Sequence, residues 1–241
     1  MQGKKKEVVC LFRRTLRKII PTYASLPLLL CGLGLVGSFG FAKVLQRIFT
    51  FEYIDITISW DAWFQFNPGW VVVYAEAFLF WFLTYTLTAK QSPGAAARLA
   101  TADLVSKFFC LLFFVFLPTT NVRPELEEGG LFNFGMWLVY SLDTPTNLFP
   151  STHCSIAWLG ARMLLRETSW KHKPLIALGL FGFCILIFLS TLYTCQHVIL
   201  DVFGGVVMAE IGLLALRFTK LSDRMERLNE RFMTTKLSKI L

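Results

Sequence analysis

Two of the three histidines in this sequence stand where their side chains could do chemistry. His197 is followed four residues later by Asp201, so both side chains share one helix face and the carboxylate can accept from one imidazole nitrogen. The other nitrogen is then left as a nucleophile. The second histidine, His153, lies at the start of another apolar segment. This pattern indicates nucleophilic and acid–base catalysis, whereas His172 lies in a basic loop and is interpreted as solvated.

The residues before His153 are suited to binding an anion. Pro150 is of a type tolerated in the first turn of a helix, where free backbone N–H groups form an anion site. Ser151 and Thr152 would lie at this helix start, so a phosphate group is the expected ligand. A metal site made of the two histidines and the aspartate is disfavoured, because no further histidine or cysteine is suitably spaced. No cofactor is predicted.

The composition is that of a membrane protein. Of the 241 residues, 55% are hydrophobic and 17% are charged, with a mean hydropathy of +0.55, which excludes an ordinary soluble domain. The net charge of +8 does not predict nucleic-acid binding, because the basic residues lie outside the apolar runs and lack interleaved aromatic residues. The six cysteines stand singly, mostly in apolar runs, and are interpreted as buried thiols.

The apolar runs predict an all-α fold, a six-span transmembrane helical bundle. Crossing the hydrocarbon layer takes about 20 apolar residues, and the predicted spans cover residues 24–42, 70–89, 99–118, 150–165, 174–195 and 197–216. Asp103 and Lys107 fall four residues apart in the third span and are expected to pair. Glu76 and Glu210 also fall within spans and need partners there. Close helix packing is predicted at six glycines: Gly32, Gly34, Gly37, Gly40, Gly204 and Gly205.

The basic residues predict the orientation in the membrane. Twenty of the 24 lysines and arginines lie in four regions: the N-terminal arm, the connection between the second and third spans, the connection between the fourth and fifth spans, and the C-terminal tail. Because lysine and arginine accumulate in cytoplasmic loops, both termini are predicted to be cytoplasmic and the two histidines to face the extracytoplasmic or luminal side. A cleaved signal peptide is disfavoured, since the first run of 19 apolar residues exceeds the usual signal core.

Three regions are predicted along the chain. Residues 1–23 form a basic amphipathic arm, residues 24–218 form the six-span domain, and residues 219–241 form a basic amphipathic helix. Anchoring to the inner membrane surface is preferred over partner binding as the role of the two terminal regions.

The motifs resemble those of the type-2 phosphatidic acid phosphatase superfamily, six-span membrane enzymes that transfer phosphoryl groups through a phosphohistidine without a metal. The resemblance covers residues 71–218. The matching residues are Arg123-Pro124 for the first motif, Pro150, Ser151 and His153 for the second, and Ser190, His197 and Asp201 for the third. The stretch from residue 118 to residue 150 looks especially like the branch that includes inositol phosphorylceramide synthases.

The resemblance implies a role for each matching residue. His197 would attack phosphorus, Asp201 would orient the imidazole ring, and His153 would act as general acid and then as general base. Arg123, Ser151 and the backbone near Thr152 would hold the phosphoryl oxygens. Alternatively, Arg123 pairs with the glutamates that follow it or extends toward the membrane surface.

Two departures from the family pattern affect the expected substrate. The first-motif lysine is replaced by Phe116 and the third-motif arginine by Thr191, so two of three expected phosphate-binding cations are missing. One remaining cation suits a phosphodiester better than a more highly charged phosphomonoester. Candidates that could restore the charge are Lys43, Arg47 and Lys107.

The prediction from these motifs is a lipid phosphate phosphatase that acts through a phosphohistidine, with a membrane lipid as its partner. The first alternative is a lipid head-group phosphotransferase, similar to inositol phosphorylceramide or sphingomyelin synthases, which the missing cations favour. The second alternative is a non-catalytic membrane protein on the same fold.

Overall fold

The computed structural model describes residues 17, 19–49 and 51–235. Within these residues the chain forms eight α-helices, together with one pair of two-residue strands, β1 (Ile54–Asp55) and β2 (Thr119–Thr120). The helices are α1 (Thr22–Ile48), α2 (Val71–Ala89), α3 (Pro93–Phe116), α4 (Leu131–Leu142), α5 (Thr152–Glu167), α6 (Lys173–Tyr193), α7 (Ile199–Phe218) and α8 (Leu221–Met233). Most of the predicted arm, residues 1–23, lies outside the described residues.

Five helical segments are long and apolar enough to cross a membrane. They are Thr22–Ile48, Pro68–Ala89, Pro93–Phe116, Lys173–Tyr193 and Ile199–Phe218. The helix at the predicted fourth span, α5, has 16 residues and is therefore about 24 Å long, less than the roughly 30 Å of a hydrocarbon core. The helical fold and five of the apolar helices are thus established, whereas six spans stay a prediction.

The long helices pack side by side around α3 and α5. Helix α3 packs against α1 and α7, while α5 packs against α2, α6 and α7. Glycine allows the α3–α7 contact, because a Cβ atom on Gly212 would lie 2.2 Å from the carbonyl oxygen of Ala102. The packing predicted at Gly34 is also present, where an added Cβ would lie 2.8 Å from Leu104. The same prediction was wrong for three glycines whose Cβ positions face open space: Gly32, Gly37 and Gly40.

Three charged groups within the apolar helices have partners, whereas the side chain of Glu76, exposed on α2, forms no hydrogen bond or ion pair with another described residue. Lys107 Nζ donates to the Asp103 carboxylate and, at 2.8 Å, to the carbonyl oxygen of Cys31 on α1, which confirms the predicted pair. Tyr85 Oη donates to the other oxygen of Asp103 at 2.6 Å. Glu210 accepts from Trp158 Nε1 at 2.7 Å. These contacts satisfy charges that would be costly to leave alone in lipid.

The connections at one end of the bundle are joined to one another, and we call this the loop end. The parallel β1–β2 pair links the first connection to the segment after α3, and Thr120 bridges to Thr146 just before α5. Asn67 N–H donates to the carbonyl oxygen of Tyr193 at the end of α6. The starts of α5 and α7 are therefore brought together at the loop end, where the candidate catalytic residues lie.

The opposite end is covered by α8. This helix packs against α3 and α1, and Asn229 Nδ2 donates to the carbonyl oxygen of Tyr23. Met225 packs against the core, whereas Leu221 and Leu228 are exposed. One face of α8 thus lies on the bundle itself, while other apolar side chains point away from it.

Candidate active site

His197 and Asp201 form a hydrogen-bonded pair at the start of α7. His197 Nδ1 lies 3.2 Å from Asp201 Oδ2, which also accepts from the backbone N–H of Val198 at 2.9 Å. Asp201 is fully buried. Because the carboxylate engages Nδ1, the Nε2 atom of His197 is the nitrogen available for chemistry.

Asp61 fixes the start of α7 from a distant part of the chain. Its Oδ1 atom accepts from the backbone N–H of Ile199 at 2.7 Å, and its Oδ2 atom accepts from Ile58 N–H at 2.8 Å. The first connection is therefore attached to the turn that carries His197. The sequence analysis did not single out Asp61 for the site, because nothing local indicates a partner 138 residues away.

His153 faces His197 from the first turn of α5. The two ring centroids are 5.8 Å apart, and the His153 ring packs among three aromatic side chains of α2: Tyr74, Phe78 and Trp81. Within the described residues, His153 Nε2 is buried and has no hydrogen-bond partner. Its orientation is thus set by ring packing, while one ring nitrogen stays free for a ligand.

Ser151 joins the two helix starts. Its Oγ atom caps α5 by accepting from Cys154 N–H at 3.3 Å, and its own N–H donates to the carbonyl oxygen of Asp201 at 3.0 Å. Thr152 follows as the first residue of α5 and is buried. The first backbone N–H groups of a helix lack partners within it, so this turn has a partial positive charge beside the histidines.

Gly205 permits this close approach of α5 and α7. A Cβ atom on Gly205 would lie 2.3 Å from the carbonyl oxygen of Ser151, far inside van der Waals contact. On Gly204 it would lie 2.5 Å from the ring of Phe149. The packing role predicted for this glycine pair is confirmed.

Arg123 is held next to the segment that carries His197. Its Nη1 atom donates to the carbonyl oxygen of Asp143, its Nη2 atom donates to Gln196 Oε1 at 2.8 Å, and its Cζ atom lies 4.6 Å from the centre of the Tyr140 ring. Burial lowers the pKa of the Arg123 guanidinium, and the charge of Asp143 acts in the opposite direction. These contacts direct Arg123 toward the site and not toward the glutamates that follow it.

Gln196 and Asn121 are site residues that the sequence analysis missed. Gln196 is 1% exposed and its Nε2 atom has no partner, while Asn121 donates to the carbonyl oxygen of Cys195 and leaves its Oδ1 atom unpaired. Five of the seven buried polar side-chain atoms without partners in the described residues belong to this site: Asn121 Oδ1, Arg123 Nε, His153 Nε2, Gln196 Nε2 and Asp201 Oδ1. Since buried polar groups are usually satisfied, this concentration indicates a place for a polar ligand or water.

The positions of the missing cations are not filled by other charges. Phe116 is 78% exposed at the end of α3, and the Thr191 hydroxyl donates to the carbonyl oxygen of Phe188. Lys107 is engaged by Asp103 and Cys31. In the described part of the chain, neither Lys43 nor Arg47 forms a hydrogen bond or ion pair with the residues of the site. Among the described residues, Arg123 is therefore the one cation that contacts the residues of the site, together with the neutral amide groups of Asn121 and Gln196.

A family model described as PAP2 superfamily matches residues 108–222, somewhat less than half of the chain. The matched stretch contains all six predicted site residues, from Arg123 to Asp201. Together with the five apolar helices, this match fits a membrane protein of the phosphatase type. No curated protein and no solved structure matches the chain. The likeness to the inositol phosphorylceramide synthase branch stays a prediction.

Proposed function

We propose that this protein is a membrane enzyme that cleaves a lipid phosphate ester through a phosphohistidine on His197. The observation that carries this proposal is the His197–Asp201 pair facing His153, whose Nε2 atom is buried without a partner. A carboxylate-bound imidazole with its second nitrogen free is an activated nucleophile. A second histidine at this distance can donate a proton to the leaving group.

The first chemical step forms a covalent intermediate. The Nε2 atom of His197 attacks phosphorus, the bond between phosphorus and the lipid oxygen breaks, and protonated His153 gives its proton to that oxygen. Asp201 stabilises the imidazolium that results. In the second step, His153 takes a proton from water as the water oxygen attacks phosphorus. The P–N bond breaks, inorganic phosphate is released, and both histidines return to their starting states.

Four groups would hold the phosphoryl oxygens in this mechanism. They are the Arg123 guanidinium, the free N–H groups in the first turn of α5, the Ser151 hydroxyl and the Gln196 amide. Donors fixed by their surroundings stabilise developing negative charge without reorganising during the reaction. The capping bond uses an Oγ lone pair of Ser151, so its hydroxyl hydrogen is still able to donate.

We also propose the arrangement in the membrane. Helix α5 would act as a sixth, shorter span, with both termini cytoplasmic and the loop end extracytoplasmic or luminal. Two observations support this arrangement. The cations of the α2–α3 and α5–α6 connections belong to the end opposite the histidines, and the loop-end connections contain seven acidic residues: Glu52, Asp55, Asp61, Glu125, Glu127, Glu128 and Asp143.

Head-group transfer is the second candidate, and the single cation favours it. A phosphodiester has one negative charge, which Arg123 balances, whereas a phosphomonoester has nearly two. Transfer uses the same residues, except that an alcohol replaces water and His153 takes the proton from its hydroxyl group. The proposed reactions thus differ in the acceptor alone.

Product analysis by mass spectrometry separates these functions. Purified protein is incubated in ¹⁸O-labelled water with mixed lipid phosphates and phosphodiesters, with and without alcohol acceptors. Released phosphate containing ¹⁸O supports hydrolysis, and an exchanged head group without free phosphate supports transfer. His197→Ala should abolish either product, while His172→Ala, a change of the exposed loop histidine, should not. Equal product from wild type and His197→Ala would reject both candidates in favour of a non-catalytic role.

A further inference from the structure

A second basic site lies at the end of the bundle opposite the histidines. A groove between α5 and α7 is lined by Arg162, Arg166, Glu210, Leu213, Leu214 and Arg217. On α5 these arginines follow His153 by nine and thirteen residues, which corresponds to roughly 14 and 20 Å along the helix axis. The groove is therefore separate from the candidate active site.

The groove has more guanidinium groups than carboxylates to balance them. Arg162 lies 3.1 Å from Glu210, which is also held by Trp158. Arg166 lies 3.5 Å from Glu167, but both oxygens of that carboxylate already accept from Arg98.

Arg217, in the last turn of α7, is exposed, and its guanidinium forms no hydrogen bond or ion pair with any other described residue. The groove itself is thus lined by three guanidinium groups and one carboxylate, Glu210, and the excess within it is two positive charges. Arg166 and Arg217 have N–H groups that are free for a ligand.

We propose that this groove binds the head-group phosphate of an anionic membrane lipid in the leaflet at that end. Planar guanidinium groups bind phosphate in a bidentate manner, and the excess positive charge of the groove favours a lipid with net negative charge over a zwitterionic one. A lipid is favoured over a soluble anion because the groove runs along α7, a helix long and apolar enough to cross the membrane, and Leu214 is 48% exposed beside the arginines. This inference depends on membrane insertion and not on the proposed reaction.

Native mass spectrometry of the full chain in detergent tests the proposal, with phosphatidylglycerol as the anionic lipid and phosphatidylcholine as the neutral one. The wild type should retain phosphatidylglycerol preferentially, and Arg166→Gln with Arg217→Gln should weaken that binding about tenfold or more. Lys90→Gln with Lys171→Gln is the matched control, because it removes the same charge from exposed side chains at the same end. This control should bind like the wild type.

Three outcomes would overturn the proposal: equal phosphatidylglycerol binding by the arginine variant and the wild type, an equal loss in the lysine control, or full displacement of the lipid by millimolar inorganic phosphate. The double variant Arg166→Lys with Arg217→Lys controls for misfolding, since it keeps both charges. This variant should elute as the wild type does and still bind less phosphatidylglycerol, because lysine lacks the bidentate geometry.

Discussion

Asp201 caps the start of α7 and also supplies a negative charge next to His197, and a substitution by asparagine changes the charge while keeping an oxygen that can cap the helix. Its Oδ2 atom accepts from both His197 Nδ1 and the N–H of Val198. Asp201→Asn keeps the size of the side chain but removes the charge that stabilises the imidazolium, so we expect kcat to fall by about a thousandfold or more. Steady-state kinetics on the purified protein would measure this fall. The proposed role of Asp201 is wrong if the variant turns over at the wild-type rate.

Gln196 holds Arg123 and has an unused amide N–H group. Gln196→Ala removes the contact with Arg123 and the free N–H group, and should lower kcat/KM by roughly ten- to a hundredfold. Gln196→Glu should lower it further, because a carboxylate would neutralise the one cation of the site. The loss should be larger for phosphomonoesters than for phosphodiesters, since they have more charge to balance.

Kinetics on both substrate classes would check the predictions for Gln196. Gln91→Ala, a change in the exposed turn between α2 and α3, serves as the control. If the glutamate variant matched the wild type on both substrates, Gln196 would have no contact with the phosphoryl group.

The helix-local part of the site could be predicted from the sequence, and the long-range part could not. The spacing of His197 and Asp201 fixes their contact within one helix turn, and the serine before His153 is a typical helix cap. Asp61 and Gln196 contact partners 138 and 73 residues away, and their own neighbours in sequence give no sign of it. Such contacts depend on how the connections pack, which local patterns do not encode.

At the level of elements, the contact between α5 and α7 depends on Gly205. Gly205→Ala places a Cβ atom against the backbone of Ser151, and such overpacking costs about 1–3 kcal/mol. We expect a lower thermal unfolding temperature together with lower activity, because the same contact joins the two histidine-bearing turns. Scanning fluorimetry and activity assays would measure both.

Gly37→Ala is the matched control for Gly205, since its Cβ would meet open space on α1. Replacing glycine by alanine inside a helix favours the helix by up to about 1 kcal/mol. This variant should therefore unfold at or above the wild-type temperature. Equal destabilisation by both changes would show that the α5–α7 contact is not specifically responsible.

The extents of the helices differ from the predicted spans for identifiable reasons. The first helix, Thr22–Ile48, continues beyond the predicted residues 24–42 because Lys43 and Arg47 end the apolar run but not the helix. Helix α3 begins at Pro93, where Ser92 caps it, before the predicted start at residue 99. Hydropathy detects the part of a helix that lipid can surround, whereas capping residues fix where the helix begins and ends.

For the whole molecule, the proposed orientation is testable with epitope tags. A tag after Gly129, in the loop-end segment between α3 and α4, should be reached by antibody from the extracytoplasmic or luminal side. A tag after Lys171, between α5 and α6, should be reached only after the membrane is permeabilised. Both insertions lie in exposed connections. If the Gly129 tag faced the cytoplasm, the six-span arrangement would be wrong.

The surroundings of His153 reach outside the stretch that resembles the PAP2 family. The three aromatic rings that hold its imidazole come from α2, and the carboxylate that fixes the start of α7 is Asp61, yet the family match begins at residue 108. The stretch that matches the family model is therefore shorter than the part of the chain that builds the candidate site. A chimera that kept residues 108–222 and took its first two helices and their connection from another protein would contain every proposed catalytic side chain, but not the residues that fix the positions of those side chains.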